Sequence, residues 1–152
     1  MASAKIDVIG VDDIPLIADL YSRIYRPTHD VEFFRRRFLG RYNILMMVAS
    51  LDDHAVGFFV GFELKPSVFF SWLYGVLPEF RRVGVASQLM EAVQEWAMQQ
   101  EYASIRFECH NQHRPMLHLA IEQGYDVVGI RWDPDRGSNL VIFEKVLSPV
   151  EE

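Results

Sequence analysis

Only one cysteine, Cys109, occurs in 152 residues. That excludes an intrachain disulfide and any zinc site built from several thiolates, and it agrees with a reducing compartment, the cytoplasm by default. Long apolar runs are missing too: nothing approaches the roughly 20 residues of a membrane-spanning helix. The opening "MASAKIDVIG" lacks the charged start and apolar core of a secretory signal, so no membrane role is expected. Positive charge is in deficit, with 15 Lys and Arg against 21 Asp and Glu and a formal net charge of −6. Broad nucleic-acid binding needs a basic face to displace counterions from phosphates and is disfavoured, whereas a cationic substrate is allowed. Repeats, low-complexity stretches and linkers are absent, and residues 1–152 read as one domain.

What is present is core. Half the residues are hydrophobic and 13% are aromatic, enough for a chain of this length to bury about two-thirds of its unfolded surface. "AKIDVIG" alternates like a strand, Asp12 can cap the helix that follows, and Ile14, Ile17, Leu20, Tyr21 and Ile24 recur at helical spacing. "DVEFFRRRFLG" reads as a second helix, capped by Asp30 and stopped at Gly40. Three aromatic runs, "YNILMMVASL", "AVGFFVGFEL" and "SVFFSWLYGV", are separated by "DDHA" and "KPS" and read as antiparallel strands. Val85, Leu89, Val93 and Ala97 mark one face of a long helix. "ASIRFEC" (strand), "RPMLHLAIEQG" (helix closed by Gly124), "YDVVGIRW" (strand) and "LVIFEKVL" (strand) follow, and the tail "SPVEE" reads as loose. The predicted order is β-α-α-β-β-β-α-β-α-β-β in a mixed α/β domain.

Chemistry concentrates first in "LYGVLPEFRRVGVASQLMEAV", residues 73–93. Pro78 cannot donate to a sheet ladder, so the strand before it must stop pairing or splay from its neighbour. Free backbone groups would then stand beside a helix N-terminus, where amides and dipole together favour an anion. Gly84 lets that backbone approach a phosphate, Ala86 keeps the next position small, and Arg81 and Arg82 add charge. No lysine and hydroxyl pair follows the glycine and no three-glycine fingerprint is present, which disfavours a nucleoside triphosphate or a dinucleotide.

The stretch "VLPEFRRVGVAS" resembles motif A of the GNAT superfamily of N-acetyltransferases. Arg81, Gly84 and Ala86 fill its three defined places, Val76 and Pro78 match the strand end before it, and "EQGYDVVG" is similar to the family's closing segment. The resemblance extends over nearly the whole chain through the order of elements. It implies a mostly antiparallel sheet of about seven strands with helices on both faces, and an opening between splayed fourth and fifth strands. It further implies acetyl-CoA as cosubstrate, with Val76 meeting the pantetheine or acetyl carbonyl. Arg81, Arg82, Val83, Gly84, Val85, Ala86 and Ser87 would wrap the pyrophosphate. A primary amine, of a small molecule or a protein, would attack the thioester directly without a metal, and a homodimer is compatible with the family.

Proton chemistry fits the resemblance less well. Many relatives have an acidic residue on the fourth strand, where this chain offers only Ser71 and Tyr74 as polar groups. The usual acid, a tyrosine four residues before the closing glycine, falls on Ala120. Glu108 is the leading base candidate, with a solvated strand-end carboxylate as the plain alternative. His118 and Tyr125 are substitutes for the acid, each more ordinary as a structural residue, with Cys109 or water behind them. Asn111 resembles the asparagine that touches the pantetheine arm in relatives, although strict counting puts His113 there. The cluster Cys109, His110, His113 and His118 lacks the spacing of a closed metal site. Arg35, Arg36 and Arg37 read as a solvated helix face, with a 3′-phosphate or an acidic substrate as the alternative. Two other readings remain: a non-catalytic acyl-CoA sensor of the same fold, motivated by the displaced acid and base, and an interaction domain without a cofactor.

Overall fold

The computed structural model describes residues 3–147. Its elements are β1 (Lys5–Ile9), α1 (Ile14–Ile24), α2 (Val31–Phe38), β2 (Tyr42–Leu51), β3 (His54–Lys65) and β4 (Val68–Val76), then α3 (Val85–Gln99), β5 (Ser104–His110), α4 (Arg114–Glu122), β6 (Asp126–Asp133) and β7 (Ser138–Val146). The order is the one expected. The strands form one sheet in the order β1-β2-β3-β4-β5-β7-β6, antiparallel throughout except for the parallel pair β4 and β5. The expectation of a loose tail falls outside the described residues.

Helices cover both faces of the sheet, which is why the central strands are apolar without interruption instead of alternating. Along β2, Leu45, Met47 and Ala49 join the core under α3 and α4, while Met46 and Val48 join the core under α1 and α2. Phe58 and Phe59 divide in the same way. The first core centres on Phe69, Leu89, Val93, Ile105 and Phe143; the second centres on Ile17, Leu20, Phe34 and Phe58. Truncating a side chain buried like Leu89, whose relative exposure is 0%, to alanine costs about 2–5 kcal/mol.

Local signals set the boundaries. The Asp30 side chain accepts from the Phe33 N–H at 3.0 Å and caps α2, and Gly40, with φ 73°, follows its end. Asp52 and Asp53 both have positive φ (49° and 64°), the geometry of the tight turn that joins twisted antiparallel strands. Asp12 does not cap α1. It lies inside a 3-10 turn, Val11–Asp13, with Pro15 already in the first turn of the helix behind it. Among the described residues no helix is long and apolar enough to cross a membrane.

Candidate active site

Pairing between β4 and β5 runs from Val68↔Ser104 to Ser71↔Phe107 and stops, although β4 continues to Val76 and β5 to His110. Each strand keeps its outer partner to the end: Val76 still opposes Gly57 on β3, and His110 still opposes Leu140 on β7. The sheet therefore opens along one line only. Carbonyls alternate sides along a strand, so Tyr74 and Val76 turn theirs toward the opening, where side chains take them up. The Tyr25 hydroxyl donates to the Tyr74 carbonyl at 2.6 Å, and Arg81 Nε donates to the Val76 carbonyl at 3.1 Å. Between them lies Gly75, where a Cβ would stand 3.0 Å from both Cε2 and the hydroxyl oxygen of Tyr25. The missing side chain is what lets the Tyr25 ring close on the strand.

Past Val76 the chain makes a short 3-10 turn, Pro78–Phe80, before α3 begins. Arg82 (φ 67°) and Gly84 (φ 89°) are both left-handed, and Gly84 is the N-cap of α3. The N–H of Gln88 closes the first helical bond, to the Gly84 carbonyl at 3.1 Å. The amides ahead of it are those that a helix start leaves without an intrahelical partner. Left-handed residues among such amides form a concave donor surface suited to an anion. Its donors, with two arginines and no carboxylate other than Glu79 within the loop, fit a pyrophosphate.

On the α1 and α2 side, the opening widens into a groove of about 660 Å³. It is lined by Trp72, Tyr74, Phe107 and Cys109 from β4 and β5, by Tyr21, Tyr25 and Arg37 from α1, its end and α2, and by Arg131, Asp133 and Arg136 from β6 and the turn after it. Two ion pairs span β7 to join β5 to β6. Arg131 grips Glu108 through both Nε and a terminal nitrogen, the shortest contact being 2.8 Å, and His110 Nε2 meets Asp133 at 2.9 Å. Arg37 lies 5.0 Å above the Trp72 ring, a cation–π arrangement. A second hollow, of about 740 Å³, lies over the α1–α2 connection around Thr28, Phe33 and Arg36 and shares Arg37 with the groove.

Protonation states follow from burial. Tyr25 is pushed up to about 12, mainly by burial, and Tyr74 is pushed well above the ordinary phenol range for the same reason. Both hydroxyls stay protonated at neutral pH, and that of Tyr74 donates to Met116 Sδ at 2.8 Å. Burial pushes the Cys109 thiol up to about 11, so it is not a thiolate. His113 is lowered by the covered part of its ring and then by the charge of Arg81, so its imidazole is neutral at pH 7. Asp133 is lowered first by its bond to His110.

The structure brings several of the expected residues together. Val76, Arg81 and the turn from Arg82 to Ser87 form one end of the opening, and His113 lines the groove within electrostatic reach of Arg81. Glu108 also lines the groove, tied to Arg131. Others stand apart. Asn111 is exposed, its backbone N–H donating to the Asn139 carbonyl at 2.9 Å, and His113 is the N-cap of α4. His118 is exposed on α4. Tyr125 is buried edge-on against Phe107, with centroids 5.0 Å apart, and its hydroxyl is raised by that burial. Ala120, at the position of the family's tyrosine, is fully buried. Among the described residues no three His, Cys, Asp or Glu side chains gather as metal ligands.

Sequence reasoning missed Tyr25, Arg131, Asp133 and Arg136. One signal was available: Glu108 and His110 alternate on β5, as Arg131 and Asp133 do on β6, so each pair shares a face. Matching the two pairs required the register through β7, in which Leu140 opposes both His110 and Arg131.

The model of the "Acetyltransferase (GNAT) family" matches residues 14–125. An uncharacterized N-acetyltransferase of Archaeoglobus fulgidus is 34% identical over 103 residues, covering 58% of this chain and 69% of the relative. Among solved structures, the ribosomal-protein-S18-alanine N-acetyltransferase of Escherichia coli superposes with a TM-score of 0.85 at 16% identity, covering 99% of this chain and 97% of that one. A GNAT family acetyltransferase of Elizabethkingia anophelis with acetyl-CoA bound gives 0.75 at 15% identity, covering 95% and 98%.

Proposed function

The chain belongs to the GNAT family of acetyltransferases, as an N-acetyltransferase using acetyl-CoA, and we propose that it passes the acetyl group directly to a primary amine bound in the groove. The observation that carries this reading is the end of β4–β5 pairing at Ser71↔Phe107. It leaves the β4 and β5 edges without a strand partner between an anion cradle and a groove large enough for a small ligand or a chain terminus.

Acetyl-CoA supplies an acetyl group activated as a thioester. The amides of Arg82, Val83, Gly84, Val85, Ala86 and Ser87 hold its pyrophosphate, with charge added by Arg81 and Arg82. Arg81 reaches that phosphate by giving up its bond to the Val76 carbonyl, which frees the carbonyl for the pantetheine arm. His113 borders the same arm, with Asn111 the alternative from the turn before it. A backbone N–H near Val76 stabilises the charge that develops on the acetyl oxygen. As the amine nitrogen bonds the acetyl carbon and the C–S bond breaks, Glu108 takes the ammonium proton, since among Glu108, His118 and Tyr125 it is the carboxylate that faces the groove, and the coenzyme A thiolate leaves to take a proton from water. His118, exposed on α4, and Tyr125, buried under Phe107, stand in a weaker position for proton transfer. The acceptor is an amine of a small molecule or of a protein; the E. coli relative named above acts on an alanine of ribosomal protein S18.

Two measurements test this. Calorimetry should register acetyl-CoA binding to the folded protein, and a panel of primary amines should yield at least one that releases coenzyme A thiol well above hydrolysis. Absence of binding would sink the reading. Binding without turnover of any amine would instead favour an acyl-CoA sensor.

A further inference from the structure

The groove's charges do not balance. Three arginines line it, Arg37, Arg131 and Arg136, against two carboxylates, Glu108 and Asp133. Both carboxylates are already engaged: Glu108 accepts three bonds from Arg131, and Asp133 meets His110 and also accepts from the Asp135 N–H at 3.1 Å. Among the described residues, neither Arg37 nor Arg136 has an acidic partner. The chain as a whole carries −6, so this local excess of positive charge runs against its average.

Nor are these two arginines free-swinging surface groups. Arg37 is held over the face of Trp72, and its guanidinium is destabilised by burial and by the like charges of Arg41 and Arg131, which outweigh the weaker attraction of Glu108. Arg136 donates to the Arg26 carbonyl at 3.3 Å, and Arg26 is itself fixed to the carbonyls of Ser22 and Tyr25. Tyr25 in turn closes on the β4 edge. A bare ammonium entering such a groove would meet two unpaired cations. An acceptor with its own anion meets two guanidiniums held by neighbouring groups, one over a ring and one on a backbone carbonyl, the donors best shaped for a carboxylate or a phosphate.

We propose that the acceptor amine carries an anionic group, a carboxylate or phosphate, recognised by Arg37 and Arg136 on the walls of the groove. The inference rests on the groove being the acceptor site, and it narrows the class of amine admitted there. It also reverses the first impression left by the net charge, because a ligand responds to the field of the cleft it enters rather than to the sum over the chain.

The test is a binding measurement on the full chain saturated with coenzyme A, using matched pairs that differ in the anion. One pair is the tripeptide amides Glu-Ala-Ala and Gln-Ala-Ala; the other is O-phosphoethanolamine and ethanolamine. In at least one pair the anionic member should bind about tenfold tighter or better, as expected for one charge-assisted contact, and the pair that responds tells a peptide acceptor from a small molecule. Raising salt should shrink the preference, Arg37→Gln should reduce it, and Arg136→Glu should reduce or invert it, with far-UV dichroism checking that each variant is folded. Equal binding within both pairs, no binding by any of the four, or a preference that survives in both folded variants overturns the proposal. Turnover is read separately: an anion preference without acetyl transfer to any amine defeats the transferase reading and leaves the anion site standing.

Discussion

The two ends of the β4–β5 opening are built in opposite ways. The proposed coenzyme end is one contiguous stretch, Val76 to Ser87, whose chemistry lies mostly in its backbone: two left-handed residues, a helix start and a strand that has lost its neighbour. The proposed acceptor end draws residues from α1, α2, α4, β4, β5, β6, β7 and the turns before α4 and β7, from Tyr21 to Leu140. A backbone site depends on conformation and tolerates most side-chain changes, whereas a side-chain site depends on a few atoms set by distant register. Substitutions that affect one end and spare the other are the means of testing this division.

Gly84→Val should do the most damage, and only at the coenzyme end. At φ 89° a branched residue is strained by about 1–2 kcal/mol, and relieving that strain turns the cradle's amides away from the phosphates. Losing two charge-assisted bonds of about 2 kcal/mol each corresponds to roughly a thousandfold weaker acetyl-CoA binding. Calorimetry reads that loss, and dichroism confirms that the variant is folded. Unchanged affinity would mean that the cradle is not where the pyrophosphate sits. At the acceptor end, Glu108→Gln should lower kcat/KM about a hundredfold, the low end of what a positioned base contributes, and leave acetyl-CoA affinity as it was. If kcat holds and only KM for the amine rises, Glu108 orients Arg131 or the acceptor and another group takes the proton.

The same division explains how much the sequence disclosed. Gly84, Pro78 and the helix start are neighbours along the chain, and their conformational preferences are local, so the anion cradle is legible in the order of residues alone. The order of elements followed for a similar reason, since apolar period and turn residues act over short range. The acceptor groove was opaque because Glu108 meets Arg131 only after β7 has paired with both β5 and β6. Arg37 is the instructive case. Its run of three arginines reads as a solvated face, and all three are exposed, but Arg37 also lies over Trp72 from a strand more than thirty residues further on.

Tyr25 is the hinge between the two ends, and Gly75 is the place to test it. A methyl group at 75 would stand 3.0 Å from the Tyr25 ring, so Gly75→Ala should cost about 1–3 kcal/mol by overpacking. In a Tyr25→Ala background that penalty should largely vanish, and thermal or denaturant unfolding of the four proteins gives the coupling directly. Full additivity would show that the ring and the strand do not constrain one another.

The smallest expected effect joins the two ends through His113. Its pKa is lowered by burial and by Arg81, so between the folded value and the ordinary 6.5 the unfolded chain binds more protons than the native one. Stability then rises with pH through that window and is unaffected above it. Bound phosphates would offset the charge of Arg81 and draw its guanidinium away, removing the second cause of the shift. Coenzyme A should therefore raise the His113 pKa toward its ordinary value without carrying it far above, because burial remains. An NMR titration of the ring with and without coenzyme A measures this. A pKa that does not move on binding would place Arg81 away from the pyrophosphate and reduce the coenzyme end to backbone alone.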